Sequence, residues 1–313
     1  MNLLALIEKV QERLDHSPVQ TGHGTINNCD EAHWLVFWRL GLPLDSDPHE
    51  LSEHSPKHQN LSPSDIQSVM DLTEERITSR KPLAYLTQEA WLQGVPFYID
   101  ERAIVPRSLI AEVLGSGSLQ FVLGFEPERV LDLCTGNGSL AVLSALYWPT
   151  AQVEGLDISA PALEVAKINA KRHNLDARIA WHESDGLAAA HGQYDLIVCN
   201  PPYVPMQSMQ ALPMEFQREP ALALGSGEDG MDFIREVLPQ MHHHLSPKGL
   251  LVLELGHEID TFAKLYPQLP WMSFDTQLGS DQVLGLWAQD LKTYFDPPSS
   301  AQALLATKKV NIE

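Results

Sequence analysis

Short apolar runs alternate with amphipathic stretches along most of the chain after residue 105. Runs of this kind, bounded by turn residues, are typical of strands buried on both faces of a parallel sheet. They predict strands near 130–134, 152–157, 178–182, 194–199, 250–255, 271–275 and 283–288. Little helical sequence separates the last two runs, which favours an antiparallel pair at one edge. The alternation predicts an α/β fold with helices on both faces of the sheet.

The first 85 residues show helical periodicity instead. The apolar residues between 3 and 14 recur at the spacing of one helix face. Two further helices are expected from their start and stop residues. One is capped by Asp30 and stops at Gly41, and the other opens at Ser62 and runs towards Arg80.

The remaining segments set the expected domain boundaries. Residues 43–60 are rich in Pro, His, Ser and Asp and are expected to form a loop. Residues 91–99, broken by Gly94 and Pro96, indicate an irregular hairpin. We therefore expect a helical substrate-recognition domain at 1–85, a hairpin linker at 86–104, a catalytic domain at 105–290 and a poorly ordered tail at 291–313.

The composition is that of a folded protein with a large core. Hydrophobic residues make up 44% and charged residues 20% of the 313 positions. No apolar stretch approaches the roughly 18 residues of a membrane span. Charged residues follow the short apolar run at the N-terminus, which argues against a signal peptide. Three cysteines without paired spacing favour a reducing cytoplasm.

The net charge of −20 narrows the class of partner. A protein that binds nucleic acid through its phosphates needs a basic surface, and no Lys/Arg cluster is visible. Residues 1–75 hold 13 acidic and 4 basic side chains. An acidic protein suits a basic protein partner, although charge that serves only solubility is an equally good interpretation.

A glycine turn follows the run at 130–134. It reads Thr135-Gly136-Asn137-Gly138-Ser139, and its glycines let the backbone come close to a ligand at a helix N-terminus. Nineteen residues beyond Gly138, the next apolar run ends in Asp157. That spacing suits a carboxylate that accepts hydrogen bonds from a ribose diol. Residues 136–141 also fit the dinucleotide pattern, so a nicotinamide enzyme stays open.

The tetrad Asn200-Pro201-Pro202-Tyr203 comes directly after the apolar run at 194–199. Two prolines cannot continue a ladder of sheet hydrogen bonds, because neither has an N–H group. The backbone must leave the strand with its carbonyls unpaired and the Asn200 side chain at the tip. An amide oxygen and a backbone carbonyl then lie close together, and a planar –NH2 group has two donors to match them.

Together, the string Asp132-x-Cys134-x-Gly136-x-Gly138, Asp157 and the tetrad resemble class I S-adenosylmethionine-dependent methyltransferases that act on a planar amine or amide nitrogen. Residues 157–170, 105–108 and 230–232 are similar to the N5-glutamine methyltransferases. One branch of that family acts on release factors, and the other acts on the third large-subunit ribosomal protein. Residues 108–112 and Cys134 resemble the ribosomal-protein branch.

This resemblance implies a Rossmann-like, mostly parallel seven-stranded sheet, S-adenosylmethionine as cofactor and a basic ribosomal protein as substrate. The catalytic residues would be Asn200, Pro201, Pro202 and Tyr203. The cofactor-binding residues would be Asp132, Cys134, Thr135, Gly136, Asn137, Gly138, Asp157, Ile158, Asp185, Gly186 and Asn200. Phe97 and Arg107 would shape the peptide entrance.

Other functions remain open at this point. A release-factor methyltransferase has the same motifs, and an adenine-N6 methyltransferase uses the same tetrad on a flipped base. An inert ribosome-assembly factor would bind a ribosomal protein without needing Asn200. A metal site is not expected, because the adjacent residues His242, His243 and His244 would point in different directions on a solvated helix end. Cys134 and Cys199 are interpreted as packing residues.

Overall fold

The computed structural model describes residues 1–54 and 56–297 of the protein. The chain divides into two compact units. The first contains residues 1–107 and 210–220, and the second contains 108–209 and the rest of the described chain from 221 onward. The hairpin is therefore part of the first unit rather than a separate linker, and the second unit is interrupted in sequence, unlike the continuous domain that we expected.

The first unit is built from helices and one hairpin. Its strands pair antiparallel, with Trp91 opposite Pro96. The elements are α1 (Leu3–Asp15), α2 (Asn28–Leu40), α3 (Pro48–His54), α4 (Pro56–Gln59), α5 (Pro63–Ser79), α6 (Leu83–Thr87), β1 (Ala90–Leu92) and β2 (Val95–Phe97).

Three of the four predicted helix ends are confirmed, and one is wrong. Helix α5 ends at Ser79, next to the predicted Arg80. Ser62 Oγ accepts a hydrogen bond from the Asp65 amide at the start of α5, and Gly41 ends α2 in the left-handed conformation. The cap of α2 is not Asp30 but Asn27, whose side chain accepts from the Asp30 amide. Asp30 lies in the first turn of the helix, where a carboxylate interacts favourably with the positive end of the helix dipole.

The predicted loop at 43–60 is also wrong, because α3 and α4 occupy much of it. Both helices are short and begin with a proline at the first helical position, where no N–H group is needed. Helix α3 packs against α1, and this tertiary contact supports a sequence with little helical preference of its own.

The second unit contains one seven-stranded sheet in the order β5-β4-β3-β6-β7-β9-β8. The first five strands in this order are parallel, and β9 and β8 pair antiparallel at the edge. The mostly parallel sheet and its antiparallel edge pair are therefore confirmed. The strands are β3 (Arg129–Leu133), β4 (Gln152–Asp157), β5 (Ile179–Glu183), β6 (Tyr194–Cys199), β7 (Leu245–Glu254), β8 (Met272–Ser273) and β9 (Val283–Trp287).

Helices cover the sheet and close its core. Their bounds are α7 (Ile110–Gly115), α8 (Ser118–Leu123), α9 (Ser139–Tyr147), α10 (Ala160–Arg172), α11 (Met206–Met209), α12 (Asp232–Val237), α13 (Met241–His244), α14 (Ile259–Leu265) and α15 (Ala288–Phe295). Leucine and valine side chains of β3, β6 and β7 are fully buried in this core. Among the described helices, none is long and apolar enough to span a membrane.

The C-terminal segment differs from its predicted disorder up to residue 295. Leu291 of α15 is fully buried, and the rings of Tyr294 and Phe295 pack against Tyr266. These contacts hold α15 on the core as an ordered helix. Residues 298–313 of the predicted tail lie outside the described part of the chain.

Strand β3 lies between β4 and β6, so the chain crosses to opposite sides of β3 in successive connections. Leu133, the last residue of β3, is level with Leu156 of β4 and with Cys199 of β6. Open α/β sheets bind ligands in the crevice at such a switch point, beyond the carboxyl ends of the strands. The segments that follow these three residues therefore form the candidate site.

Candidate active site

The glycine turn after β3 has a left-handed backbone at three of its five positions from 134 to 138. The φ angles are 61° at Cys134, 54° at Gly136 and 79° at Gly138. Glycine adopts this conformation freely, but for a cysteine it is strained by about 1–2 kcal/mol. The Gly138 amide donates to the Thr135 carbonyl at 2.8 Å and closes the turn ahead of α9. The backbone amides of the turn thus precede a helix N-terminus, as the sequence predicted.

Close packing explains why Gly138 must be a glycine. A Cβ atom there would lie 2.8 Å from Ala166 Cβ and from the ring of Trp181. The same indole ring would lie 2.4 Å from a Cβ atom at Gly155 in β4. Trp181 therefore fills the space between the turn and β4, and only glycines leave room for it. At Gly136, in contrast, a Cβ atom would meet no atom of the described chain within 4 Å, so the surface beside this residue is open.

Asp132 of β3 is fully buried behind the turn. Its Oδ2 atom accepts from the Thr135 hydroxyl at 2.5 Å and from the Ala141 amide at 2.9 Å. Among the residues that the structure describes, its Oδ1 atom has no hydrogen-bond partner. Burial raises the pKa of Asp132 to about 7, and the two hydrogen bonds only partly oppose this shift. A buried carboxylate with one free oxygen favours a nearby cation.

Asp157, the last residue of β4, is half-buried and points both oxygens at backbone amides. Oδ2 accepts from Gly136 at 2.7 Å, and Oδ1 accepts from Ser159 at 2.8 Å. Burial raises the pKa of Asp157, and the two amides oppose that shift. The hydrogen bonds fix the carboxylate in one orientation, and each oxygen retains a second lone pair for a ligand. The apolar side chain of Ile158 follows directly and is 48% exposed.

The segment after β5 is fixed against β4. The Ser184 amide donates to the Asp157 carbonyl at 2.9 Å, and the Ser184 hydroxyl donates to the Gly186 carbonyl at 2.8 Å. Asp185 between them is exposed, whereas Gly186 is buried with φ of 51°. The structure therefore brings Asp185 and Gly186 to the carboxyl end of the strand next to Asp157.

The tetrad leaves the sheet at the end of β6. Asn200 follows Cys199, which is level with the last residue of β3, so the tetrad and the glycine turn start at adjacent strand ends. Asn200 is half-buried, and Pro201 is buried. Among the described residues, neither the Asn200 side chain nor the Pro201 carbonyl has a hydrogen-bond partner. Two acceptors are thus free at the tip of a rigid strand end.

Tyr203 is held by two glycines of the same unit. The position of a Cβ atom at Gly256, just beyond β7, lies 2.8 Å from the Tyr203 ring. At Gly230 it lies 2.1 Å from the Tyr203 carbonyl oxygen. Only glycine permits such close approach, so these residues hold both the ring and the backbone of Tyr203 in place.

Cys134 and Cys199 lie at the ends of adjacent strands, and neither forms a disulfide. Hydrogen bonding to Cys199, together with burial, raises the pKa of Cys134 well above its usual value. The Cys134 thiol is therefore neutral near pH 7, and a neutral thiol is a poor nucleophile. Among the described residues, no group of three or more His, Cys, Asp or Glu side chains is arranged to hold a metal ion. His242, expected to be solvated, is instead buried in the short helix α13.

Phe97 and Arg107 belong to the first unit, unlike the other predicted site residues. Phe97 is fully buried and has no surface left for contacting a peptide, so we no longer assign it to the entrance. Arg107 donates two hydrogen bonds to Glu219, at 2.6 and 2.7 Å. Glu219 and the buried Glu254 are two residues that our sequence analysis missed.

Glu254, the last residue of β7, accepts hydrogen bonds from the Ser108 hydroxyl at 2.5 Å and from the Leu109 amide at 2.9 Å. It thereby holds the start of α7, where this chain differs from the release-factor branch. A single glutamate at a strand end gives no local signal of such a role, because its partners lie about 145 residues away in sequence.

Comparison with known proteins agrees with this arrangement. Residues 113–228 match the methyltransferase small domain family. The chain is 46% identical to the ribosomal protein uL3 glutamine methyltransferase of Bordetella pertussis, over 92% of this chain and 95% of that protein. The chain belongs to this family of glutamine methyltransferases. Identity to the enzyme of the same name from Neisseria meningitidis serogroup A is 41%, over 89% of this chain and 90% of that protein.

A solved structure shares the fold at low sequence identity. The hMettl16 catalytic domain, in complex with the MAT2A 3′UTR hairpin 6, is 14% identical with a TM-score of 0.50. The match covers 78% of this chain and 93% of that one. It supports the class I methyltransferase fold of the second unit.

The cofactor of the family is S-adenosylmethionine, and the residues present fit its chemistry. The molecule carries two cationic groups and a ribose diol. Asp132 provides a buried carboxylate oxygen without a partner, and Asp157 provides two oriented acceptor oxygens. The open surface beside Gly136 lies next to Asp157, whose carboxylate accepts from the Gly136 amide. A cationic ligand with a diol therefore meets complementary groups at this strand end.

Proposed function

We propose that the protein transfers a methyl group from S-adenosylmethionine to the side-chain amide nitrogen of a glutamine in ribosomal protein uL3. The free acceptors at Asn200 and Pro201 carry this proposal. They lie at the end of β6, next to the strand end that holds the glycine turn. A primary amide has two N–H donors on one nitrogen and matches two neighbouring acceptors.

The task of these residues is to make a poor nucleophile reactive. An amide nitrogen shares its lone pair with its own carbonyl, so it attacks slowly in water. When the Asn200 oxygen and the Pro201 carbonyl accept its two N–H groups, they increase the electron density on nitrogen and fix its direction. Fixed dipoles of this kind stabilise developing charge without reorganising. When bound, S-adenosylmethionine would supply an already activated methyl group: its S–CH3 bond would break as the N–CH3 bond forms, leaving a neutral thioether, and the nitrogen would release one proton to solvent. Positioning would therefore contribute most of the rate.

The other predicted residues take supporting roles in this proposal. Tyr203, held by Gly230 and Gly256, would pack against the target amide and close the slot. Asp157 would accept hydrogen bonds from the ribose. Residues 134–138 would pass the methionine part of the cofactor, and Ile158, Asp185 and Gly186 would contact the adenine.

The substrate assignment is supported by sequence identity and charge. Docking of the substrate should favour a basic protein, because the net charge is −20 and residues 1–75 carry a marked acidic excess. Ser108, fixed by Glu254, marks the difference from the release-factor branch. We place the protein in the cytoplasm, in agreement with its three free cysteines.

The decisive experiment measures labelled methyl transfer to purified uL3, a release factor and ribosomal RNA side by side. We expect modification of uL3, with mass spectrometry placing the methyl group on one glutamine side chain. Faster turnover on the release factor would overturn the substrate but not the chemistry. Transfer to an adenine in RNA, without transfer to either protein, would overturn the proposed reaction.

A further inference from the structure

The chain leaves the second unit after Met209, six residues beyond the tetrad, and returns at Ala221. Residues 210–220 belong to the first unit, whereas the flanking residues, up to Met209 and from Ala221, belong to the second. We call residues 210–220 the insertion segment. The proposed catalytic residues lie just before it in sequence. The first unit therefore holds a piece of chain that is covalently continuous with the amide-binding tetrad.

The stretches of chain that flank the insertion segment are hydrogen-bonded to each other within the second unit. Val204 donates to the Leu224 carbonyl at 2.8 Å and accepts from the Ser226 amide at 3.0 Å. The Met206 amide donates to the Gly227 carbonyl at 2.9 Å. These bonds form a short parallel bridge that begins one residue after Tyr203. Displacement of the insertion segment would consequently pull on the bridge and on the backbone of Tyr203.

Glu219 anchors one end of the insertion segment in the first unit. Its side chain is fully buried and accepts a bidentate pair of hydrogen bonds from Arg107, together with the Val105 amide at 2.9 Å. Burial by itself raises the pKa of Glu219, but Arg107 and His23 outweigh it and hold the pKa at about 2. The carboxylate is therefore ionised throughout the physiological range.

Glu215 anchors the middle of the segment in the same way. It accepts from Arg80 at 2.6 and 2.7 Å, from Arg76 at 3.1 Å and from the Gln20 amide at 3.1 Å. Burial raises the pKa of Glu215, yet these partners, Arg80 foremost, lower it to about 2. A buried pair of this type adds little net stability, but a planar guanidinium fixes both position and direction of a carboxylate.

We propose that Glu215 and Glu219 are positioning residues for methyl transfer, through which the first unit sets the geometry of the amide-binding tetrad. The inference rests on the proposed function, because it assigns the tetrad to the target amide. It gives the first unit a role in the chemical step in addition to any role in substrate binding. Loosening the anchors would misplace the acceptors at Asn200 and Pro201 without removing them.

The test compares Glu219→Gln with Asp100→Asn. Asp100 is the control, because it is also a carboxylate of the first unit held by an arginine, accepting from Arg102 at 2.6 and 2.9 Å, and these bonds do not involve the insertion segment. We expect Glu219→Gln to lower kcat at least about tenfold, since small misplacements of reacting groups have effects of this size. The KM for uL3 and the cofactor affinity should stay within about twofold of wild type. Asp100→Asn should leave kcat within about twofold of wild type.

Hydrogen exchange gives a readout that does not depend on activity. Glu219→Gln should speed exchange of the Val204 and Ser226 amides, and Asp100→Asn should not. A double variant with Arg107→Gln should be no slower in turnover than Glu219→Gln alone, because both remove the same contact. Should Glu219→Gln fail to fold, Glu219→Asp keeps the charge and shortens the reach, and it should show the same pattern more weakly.

Two results would overturn the inference. One is an equal fall in kcat for Glu219→Gln and Asp100→Asn at matched stability, which would mark a structural role only. The other is unchanged exchange at Val204 and Ser226 in the Glu219 variants. If the wild type methylates a different substrate, the kinetics are repeated with that substrate, and the exchange result still decides the inference.

Discussion

The free acceptor of Asn200 is the side-chain group that would contact the reacting amide directly. Asn200→Ala removes that acceptor and leaves the glycine turn and Asp157 in place. We expect turnover to fall about 100-fold or more, the effect of losing one preorganised contact to a transition state. Cofactor affinity, measured by calorimetry, should be nearly unchanged. Wild-type turnover in single-turnover assays would show that the tetrad is only a strand-ending turn.

Asn200→Asp refines the same measurement. It keeps the shape and one acceptor oxygen, but it adds a negative charge next to the site of a cationic cofactor. Cofactor affinity should therefore rise while turnover falls, because the charged group no longer aligns the amide correctly. A variant that restored full turnover would show that any acceptor at this position is sufficient.

Asp132 makes cofactor binding depend on pH. Burial raises its pKa to about 7, above the value of about 4 in an unfolded chain. The neutral form is thus favoured in the free protein, and the stabilising contribution of this group is complete below pH 4 and lost as the pH rises through 7. A cationic cofactor favours the ionised form instead, so its affinity should increase as the pH approaches 7 from below, by at most about tenfold per pH unit.

Asp132→Asn is the matched control for this prediction. Its amide oxygen still accepts from Thr135 and Ala141, but it cannot ionise. Calorimetric titrations of S-adenosylmethionine between about pH 5.5 and 7.5 should show a smaller pH dependence in this variant than in the wild type. Equal slopes in both proteins would assign the dependence to another group, such as Asp157.

Sequence alone located the residues whose signals are local. Asp157 and the tetrad end apolar runs, and the glycines mark a turn, so their neighbours in sequence reveal them. Glu219 could not be found in this way, because the residue that identifies its role, Arg107, is 112 positions away. Long-range pairing of a single charged residue leaves no pattern in a short window.

Among the secondary-structure elements, the buried strands were predictable because both of their faces are apolar. Strands β3, β4 and β6 lie within one or two residues of the expected ranges. The start of β7 was missed, since residues 246–249, Ser-Pro-Lys-Gly, contain no apolar run, and the pairing of β7 with β6 changes register here. Helices α3 and α4 were missed because four to seven residues hold too few apolar positions to define a period.

Gly155 links β4 to the packing of the glycine turn. Gly155→Ala should lower the free energy of unfolding by about 1–3 kcal/mol, because the added methyl group would overlap the Trp181 ring. Gly155 does not have a left-handed backbone, so the loss of stability comes from crowding alone. Denaturant unfolding measures this loss, provided that the m-value is the same in both proteins.

Gly136→Ala is the control, because it adds backbone strain without crowding. Its Cβ atom would contact no described atom within 4 Å, but φ is 54°, so the free energy of unfolding should fall by only about 1 kcal/mol. Replacing Trp181 with Leu in the Gly155→Ala background should recover part of the lost stability. Failure of that double variant to recover any stability would contradict the crowding argument.

At the scale of the whole molecule, the interleaving of the two units was not predictable from the sequence. Composition and periodicity describe continuous stretches, and they placed residues 105–290 in one domain. The structure assigns residues 210–220 to the other unit, where buried carboxylates hold them. Such an interruption depends on tertiary contacts that only the folded chain reveals.

The acidic surface of the first unit leads to a prediction on substrate docking. Exposed Glu8, Glu12 and Glu75 contribute to its negative charge, and a triple change to Gln should raise the KM for uL3 by roughly three- to tenfold at low salt. The difference should shrink near physiological ionic strength, where exposed charges are screened over about 8–10 Å. The control neutralises three exposed acids of the second unit, Glu126, Asp176 and Asp260, and changes the net charge by the same amount. Equal KM values for the two triple variants would show that total charge, and not the first unit, attracts the substrate.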